Sequence, residues 1–176
     1  DYLLNLDSED EGVFTIGCAG GQDSDVALAV TTEAAPRGEA LELAVGGLEG
    51  GHSGIDIVHG RANANVLLAR MLRVLVDESG CRLVSITGGN ARNAIPRDAL
   101  ARVVVPADRR DTVTKLVAEF SAVFAAEHRA TDPHLRVSVA AATEPAARVF
   151  TAASATSVIR LMLALPHGVV RMSSDV

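Results

Sequence analysis

The sequence predicts a mixed α/β (α+β) protein with the ferredoxin-like β-α-β-β-α-β order between residues 40 and 141. Two observations carry this prediction. Apolar and polar residues alternate in four short segments, which is typical of half-buried strands. In two longer segments the apolar residues recur every three or four positions, which is typical of helices with one buried face. This order folds as a two-layer sandwich, with both helices on one face of an antiparallel sheet.

Short strands are predicted before and at the start of this sandwich. Apolar runs at residues 2–6, 13–18 and 26–32 indicate three strands, with an acidic stretch between the first two. The sandwich itself begins with a strand at residues 40–45, where apolar side chains alternate with Glu42.

The first helix of the sandwich is predicted over residues 61–79. Its apolar residues lie on one stripe, whereas Arg70 and Arg73 lie largely on the opposite side. Gly80 is a suitable residue to end the helix, because glycine readily adopts the left-handed conformation found there. A strand at residues 81–87 follows.

The second half of the sandwich repeats the strand-helix-strand order of the first. A strand is predicted at residues 99–105, a helix at 109–128 and a strand at 135–141. Asp108 is the candidate N-cap of this helix, because its carboxylate can accept hydrogen bonds from the first backbone N–H groups.

A further αβ unit is predicted to begin after the sandwich, with a helix at residues 151–164 and a strand at 169–172. The chain starts at Asp1 rather than Met, close to an apolar run, and ends at Val176 shortly after another. We therefore expect it to be a segment of a longer protein, truncated at both ends.

Composition limits the classes of function. The 176 residues are 48% apolar and 22% charged, which is typical of one globular domain with a core. Sixteen basic and 22 acidic residues give a net charge of −6, and without a basic cluster we expect neither a nucleic acid nor a membrane surface as partner. The sequence shows no signal peptide and no apolar run of about 20 residues, so a cytoplasmic location is expected.

The segment from Gly46 to Gly54 contains five glycines in nine residues. Such a segment is neither a good helix nor a good strand, so it predicts a loop that bends sharply or approaches another group closely. His52 within it could donate a hydrogen bond to a developing oxyanion or coordinate a metal. An exposed surface histidine is an equally good interpretation. A phosphate-binding loop is disfavoured, since no Gly-Lys-Ser/Thr ending follows.

A second glycine-containing loop is predicted over residues 88–96. Asn90, Arg92 and Asn93 offer hydrogen-bond donors for a carboxylate or a carbonyl group. Ordinary turn chemistry is the favoured local interpretation, since Asn tolerates a positive φ. Chain connectivity alone does not determine whether the two loops meet.

Asp7 directly follows an apolar strand and is a candidate metal ligand. A solvated acidic turn is the favoured interpretation from spacing alone, because one carboxylate cannot hold a metal. Cys18 and Cys81 form no disulfide framework and no four-ligand zinc cluster, and are best interpreted as small buried side chains.

Several blocks together resemble a known enzyme family. They are similar, in the same order along the chain, to the Xaa-His (aminoacyl-histidine) dipeptidases, which are carnosine-cleaving metallopeptidases with two zinc ions. The Gly-Gly-His-Ser-Gly element alone is shared by a wider superfamily of di-zinc peptidases, whereas the longer blocks together are more specific. The blocks are Asn5–Gly12, Gly17–Gly21, Gly50–Asp56, Gly60–Asn65 and Gly88–Arg97.

This resemblance implies a division of labour between two domains. Residues 1–21 would be the end of the catalytic domain and its junction strands, and residues 22–176 a lid or dimerisation-type domain that is truncated at its C-terminus. Asp7 is implied to be a zinc ligand. His52 is implied to be the catalytic lid residue that contacts substrate and polarises the scissile carbonyl group, and Asn93 to bind substrate.

The implied function is hydrolysis of Xaa-His dipeptides by the full-length zinc enzyme. The implied partners are the dipeptide substrate and the catalytic domain of the same chain, and the resemblance allows a homodimer. The isolated chain is expected to be inactive, because Asp7 alone supplies too few zinc ligands. The alternative is a non-catalytic ferredoxin-like module that assembles through a sheet edge or a helix face. An upstream His-x-Asp and Glu-Glu pair with a downstream His would favour the enzyme.

Overall fold

The computed structural model describes residues 11–13 and 20–172. Six strands and three helices make up the described chain, with short 3-10 turns before the first two helices. The strands are β1 (Thr32–Ala34), β2 (Glu39–Gly46), β3 (Arg82–Gly88), β4 (Ala99–Val105), β5 (Arg136–Ala141) and β6 (Arg148–Phe150). The helices are α1 (Ala64–Ser79), α2 (Arg110–Glu127) and α3 (Ala152–Ala164), and the 3-10 turns are Asp56–His59 and Ala107–Arg109.

Four strands form one antiparallel sheet in the order β3-β4-β2-β5. Leu43 in β2 lies opposite Ala101 of β4 on one side and Val139 of β5 on the other. β1 and β6 form a separate two-stranded sheet. The larger sheet has the predicted ferredoxin-like order, because the third strand of the sandwich inserts between the first and second.

The core lies between this sheet and its helices. Alternation places Leu41, Leu43 and Val45 on the helix side of β2, where each is at most 1% exposed. Phe124 of α2 is fully buried in the same cluster. Burial of each such side chain contributes about 1.5–3 kcal/mol, so the sheet and both sandwich helices form one folding unit.

A charged pair joins α1 to α2 at the edge of this core. The Arg70 guanidinium donates to both carboxylate oxygens of Glu127, at 2.7 and 2.8 Å, and stacks 4.8 Å from the centre of the Phe124 ring. The hydrogen bond from Arg70 lowers the pKa of the Glu127 carboxyl group.

Helix α1 ends as predicted but begins three residues later than predicted. The side chain of Asn63 accepts from the backbone N–H groups of Asn65 and Val66 at 3.0 and 3.4 Å, which fixes Asn63 as the N-cap. Gly80 closes the helix with a φ of +65°.

The predictions of an Asp108 cap and of a strand at residues 26–32 are wrong. Asp108 does not cap α2: it lies in the 3-10 turn Ala107–Arg109, and Arg109 occupies the N-cap position without a side-chain bond. Of the strand predicted at residues 26–32, only Thr32 lies in a strand. The partner strand β6 is three residues long, so it pairs with Thr32–Ala34 and leaves the preceding residues exposed.

Helix α3 confirms the predicted helix at 151–164, capped by the Thr151 hydroxyl, which accepts from Ser154 N–H at 3.3 Å. The strand predicted at 169–172 is wrong, since those residues have no regular structure and are exposed. The predicted strands at 2–6 and 13–18 lie outside the described residues, except for Val13, which is not in a strand. None of the described helices is long and apolar enough to span a membrane.

Candidate functional site

The two glycine-containing loops lie side by side. His52 and Ala94 pair as an isolated antiparallel β-bridge. The backbone N–H of Ser53 donates to the carbonyl oxygen of Asn93 at 2.8 Å, and a second backbone bond of 2.8 Å joins the same loops. The fold therefore brings His52 and Asn93, two residues that the sequence singled out separately, onto one surface.

Glycine is required at two positions next to His52. Gly51 has a φ of +132°, and a Cβ there would lie 2.6 Å from a carboxylate oxygen of Asp56. Gly50 has a φ of +65°, and a Cβ there would collide with the side chain of Arg97 and lie 3.1 Å from the carbonyl oxygen of Ile95. Both residues combine a backbone conformation that L side chains rarely adopt with close packing, which explains the glycines that precede His52.

The His52 ring is held in one tautomer by its own loop. Its Nδ1 accepts from the backbone N–H groups of Gly54 at 3.1 Å and Ile55 at 3.3 Å. An imidazole nitrogen that accepts carries no hydrogen, so the neutral ring carries its hydrogen on Nε2. The residue is exposed, and no atom of the described residues bonds Nε2. His52 therefore presents a fixed N–H donor to whatever approaches this surface.

Asp56 and Arg61 fix the backbone beneath this ring. Asp56 Oδ2 accepts from the His52 backbone N–H at 2.7 Å. Arg61 donates to the Gly50 carbonyl oxygen at 2.6 Å and lies 3.4 Å from the Asp56 carboxylate. His59 Nε2 is 3.7 Å from the same carboxylate, which is too long for a hydrogen bond. The loop is thus anchored through its backbone, and the imidazole remains available.

Asp132 also contacts this loop, although the sequence analysis did not single it out. It is 1% exposed, and its two carboxylate oxygens accept from the backbone N–H groups of Glu49 at 3.0 Å and Ala62 at 2.8 Å. The one feature of the sequence that marks Asp132 is that Pro133 follows it, and an Asp-Pro pair indicates nothing more than a turn.

The polar residues of the second loop lie on the surface. Asn90, Arg92 and Asn93 are all exposed. Arg92 pairs with Asp23 at 2.9 Å, but both side chains are more than 70% exposed, so the pair contributes little stability. Asn90 and Arg97 line a groove of about 530 Å³ at the ends of β2, β3 and β4. A second groove, of about 520 Å³, lies between α1 and α3 and contains none of the predicted site residues.

The described residues do not form a metal centre. Asp7, the predicted zinc ligand, lies outside them, and within residues 11–13 and 20–172 no three His, Cys, Asp or Glu side chains gather as a metal site would require. Cys81 is buried, as predicted, and burial raises the pKa of its thiol to about 11, so it is protonated at neutral pH. Cys18 lies outside the described residues.

The comparisons with known proteins give one domain family and two similar dipeptidases. Residues 43–132 match the peptidase dimerisation domain family. The whole chain is 42% identical over 178 residues to the cytosol non-specific dipeptidase of Escherichia coli (strain K12), and it covers 36% of that protein. The crystal structure of aminoacylhistidine dipeptidase from Vibrio alginolyticus superimposes with a TM-score of 0.81 at 36% identity, covering 85% of this chain and 30% of that one.

Proposed function

The chain belongs to the peptidase dimerisation domain family, and from this premise we propose that it is the lid of a zinc-dependent dipeptidase that cleaves Xaa-His dipeptides such as carnosine. The names of its relatives support this class of reaction, since both are dipeptidases and one is named for aminoacylhistidine substrates. The observation that carries the proposal is the fixed Nε2–H donor of His52.

In this proposal His52 is the catalytic residue of the lid. When water adds to the scissile carbonyl carbon, negative charge develops on the carbonyl oxygen. The Nε2–H of His52 donates a hydrogen bond to that oxygen and stabilises the charge. Because Gly54 and Ile55 already hold Nδ1, the ring is preorganised and needs no reorientation during the reaction.

Asn93 is proposed to bind the substrate beside His52. Its side chain is exposed, and its carbonyl oxygen is bonded to the residue that follows His52. A carboxamide there can both donate and accept, so it can bind an amide or carboxylate group of a dipeptide. Both residues would reach the substrate only when the lid closes, which would restrict hydrolysis to the closed state.

The metal ions are proposed to lie in the remainder of the enzyme. The described residues do not fit a metal centre, so no step assigned to His52 or Asn93 depends on one. By family resemblance, two zinc ions would activate the attacking water, and Asp7 would be one of their ligands. Residues 1–21 would then end the catalytic domain, and residues 22–176 would form the lid.

A homodimer and a cytoplasmic location complete the proposal. The family is named for dimerisation, and the outer edge of β5 pairs with no strand among the described residues, so a second subunit could extend the sheet there. The cytoplasmic location follows the name of the Escherichia coli relative. Light scattering of the full-length protein should give the mass of a dimer, and a monomer at all concentrations would contradict this assembly.

Hydrolysis of a dipeptide panel by the full-length enzyme tests the proposed activity. We expect higher kcat/KM for carnosine and Ala-His than for Ala-Leu and Ala-Gly, measured with zinc present. Equal values would refute the preference for histidine and indicate a broad dipeptidase. If the enzyme hydrolyses no dipeptide, the proposed reaction is wrong and the assembly module becomes the better interpretation.

A further inference from the structure

Asp132 has a fixed position in the turn that follows α2. Its backbone N–H donates to the carbonyl oxygen of His128 at 2.8 Å, and its carbonyl oxygen accepts from Leu135 at 3.0 Å. These bonds form the turn between α2 and β5, both of which pack in the core. The carboxylate therefore extends from a rigid part of the fold.

That carboxylate holds both ends of the loop that carries His52. One oxygen accepts from the N–H of Glu49, three residues before His52, and the other accepts from the N–H of Ala62, ten residues after it. The bonding partners are 83 and 70 residues away from Asp132 in the sequence. A single side chain thus fixes the separation of the loop ends and their position relative to the core.

The site suits a carboxylate and no neutral replacement of the same size. Both contacts are N–H donors, so two acceptors are needed, whereas an asparagine would turn its own NH₂ group towards one of them. A buried charge is costly unless hydrogen bonds compensate for its lost hydration. Within the described residues no cation pairs with Asp132, so backbone N–H groups provide that compensation.

We propose that Asp132 is a positioning residue for the reaction, acting through His52. This inference rests on the proposed function of His52. A displacement of about 1 Å in a catalytic group can reduce turnover about 100-fold. Asp132→Asn should therefore lower kcat by about 10- to 100-fold and leave KM within about threefold.

A double-mutant cycle in the full-length enzyme tests this coupling. Asp132→Asn should lower kcat strongly in the wild-type background and by less than about twofold in the His52→Ala background. Asp98→Asn is the matched control, since Asp98 is exposed and accepts from Gly47 of the same loop only at 3.4 Å. It should leave kcat unchanged. An unchanged kcat for Asp132→Asn, or the same loss in both backgrounds, would overturn the proposal.

Hydrogen exchange separates this inference from the proposed function. In Asp132→Asn, the amides of Glu49 and Ala62 should exchange at least about tenfold faster, while the sheet remains protected. Unchanged exchange would refute the loop anchor whatever the kinetics show. Faster exchange combined with a fully active His52→Ala would instead refute the role of His52, and the positioning role with it. If the Asn variant fails to fold, Asp132→Ser replaces it in both measurements.

Discussion

Gly51→Ala perturbs the backbone next to His52 without replacing any functional side chain. At a φ of +132°, an alanine is strained by about 1–3 kcal/mol. The new Cβ would also lie 2.6 Å from Asp56 Oδ2, the atom that accepts the His52 N–H at 2.7 Å. Loss of that charge-assisted bond costs about 1.5–3 kcal/mol more. Together these costs destabilise the observed loop conformation by about 2.5–6 kcal/mol.

Such a cost is expected to open the loop locally without unfolding the core. In full-length enzyme we therefore expect Gly51→Ala to lower kcat by about 10- to 100-fold, with a thermal midpoint within about 4 °C of wild type. Gly60→Ala is the matched control: its φ is +66°, and an added Cβ meets no described atom within 4 Å. It should cost about 1–2 kcal/mol of backbone strain and little activity. Equal activity of the two variants would refute the reasoning.

Three further outcomes test the fold and the isolated chain. Phe124→Ala should lower the free energy of unfolding by about 3–5 kcal/mol in urea titrations, whereas Val123→Ala, at a 45% exposed position, should cost below about 1 kcal/mol. Glu127→Gln should cost below about 1 kcal/mol at pH 7, since its pair with Arg70 is half-exposed. Because the pKa of Glu127 is lowered in the folded state, this difference should be complete above its ordinary value of 4.5 and should be lost as the pH falls through the lowered pKa of the folded state. The purified 176-residue chain should hydrolyse no carnosine, and stoichiometric turnover would contradict the assignment of the metal ions to the rest of the enzyme.

The sandwich could be predicted from sequence because its periodicity is strong. In β2 buried residues alternate with partly exposed ones, and β4 starts with the same alternation before it ends in three consecutive buried residues. β1 and β6 could not be predicted, because three residues are too few to show an alternation. The start of α1 was misplaced because the same stripe of apolar residues is compatible with several starting points, and only the Asn63 cap bonds select one.

Only part of the candidate site could be predicted from the sequence. The glycines around His52 mark a constrained loop, because their requirement is local to the backbone. The contact between His52 and the Asn93 loop is tertiary, and connectivity leaves it open. The role of Asp132 is even harder to predict from the sequence, since its two bonding partners lie 83 and 70 residues earlier in the chain. Neither periodicity nor a motif connects residues at such distances.

The most direct test of the central claim is the kcat of His52→Ala in the zinc-loaded full-length enzyme, measured beside His59→Ala. His52 presents a fixed N–H donor, whereas His59 lies seven residues on in the same loop and makes no hydrogen bond within the described residues, its Nε2 being 3.7 Å from the Asp56 carboxylate. Loss of one oxyanion donor should lower kcat by about 100- to 1000-fold, or roughly 3–4 kcal/mol, with zinc content unchanged. His59→Ala should remain within about threefold of wild type. Small and equal effects from both substitutions would contradict the assignment of His52 to the reaction.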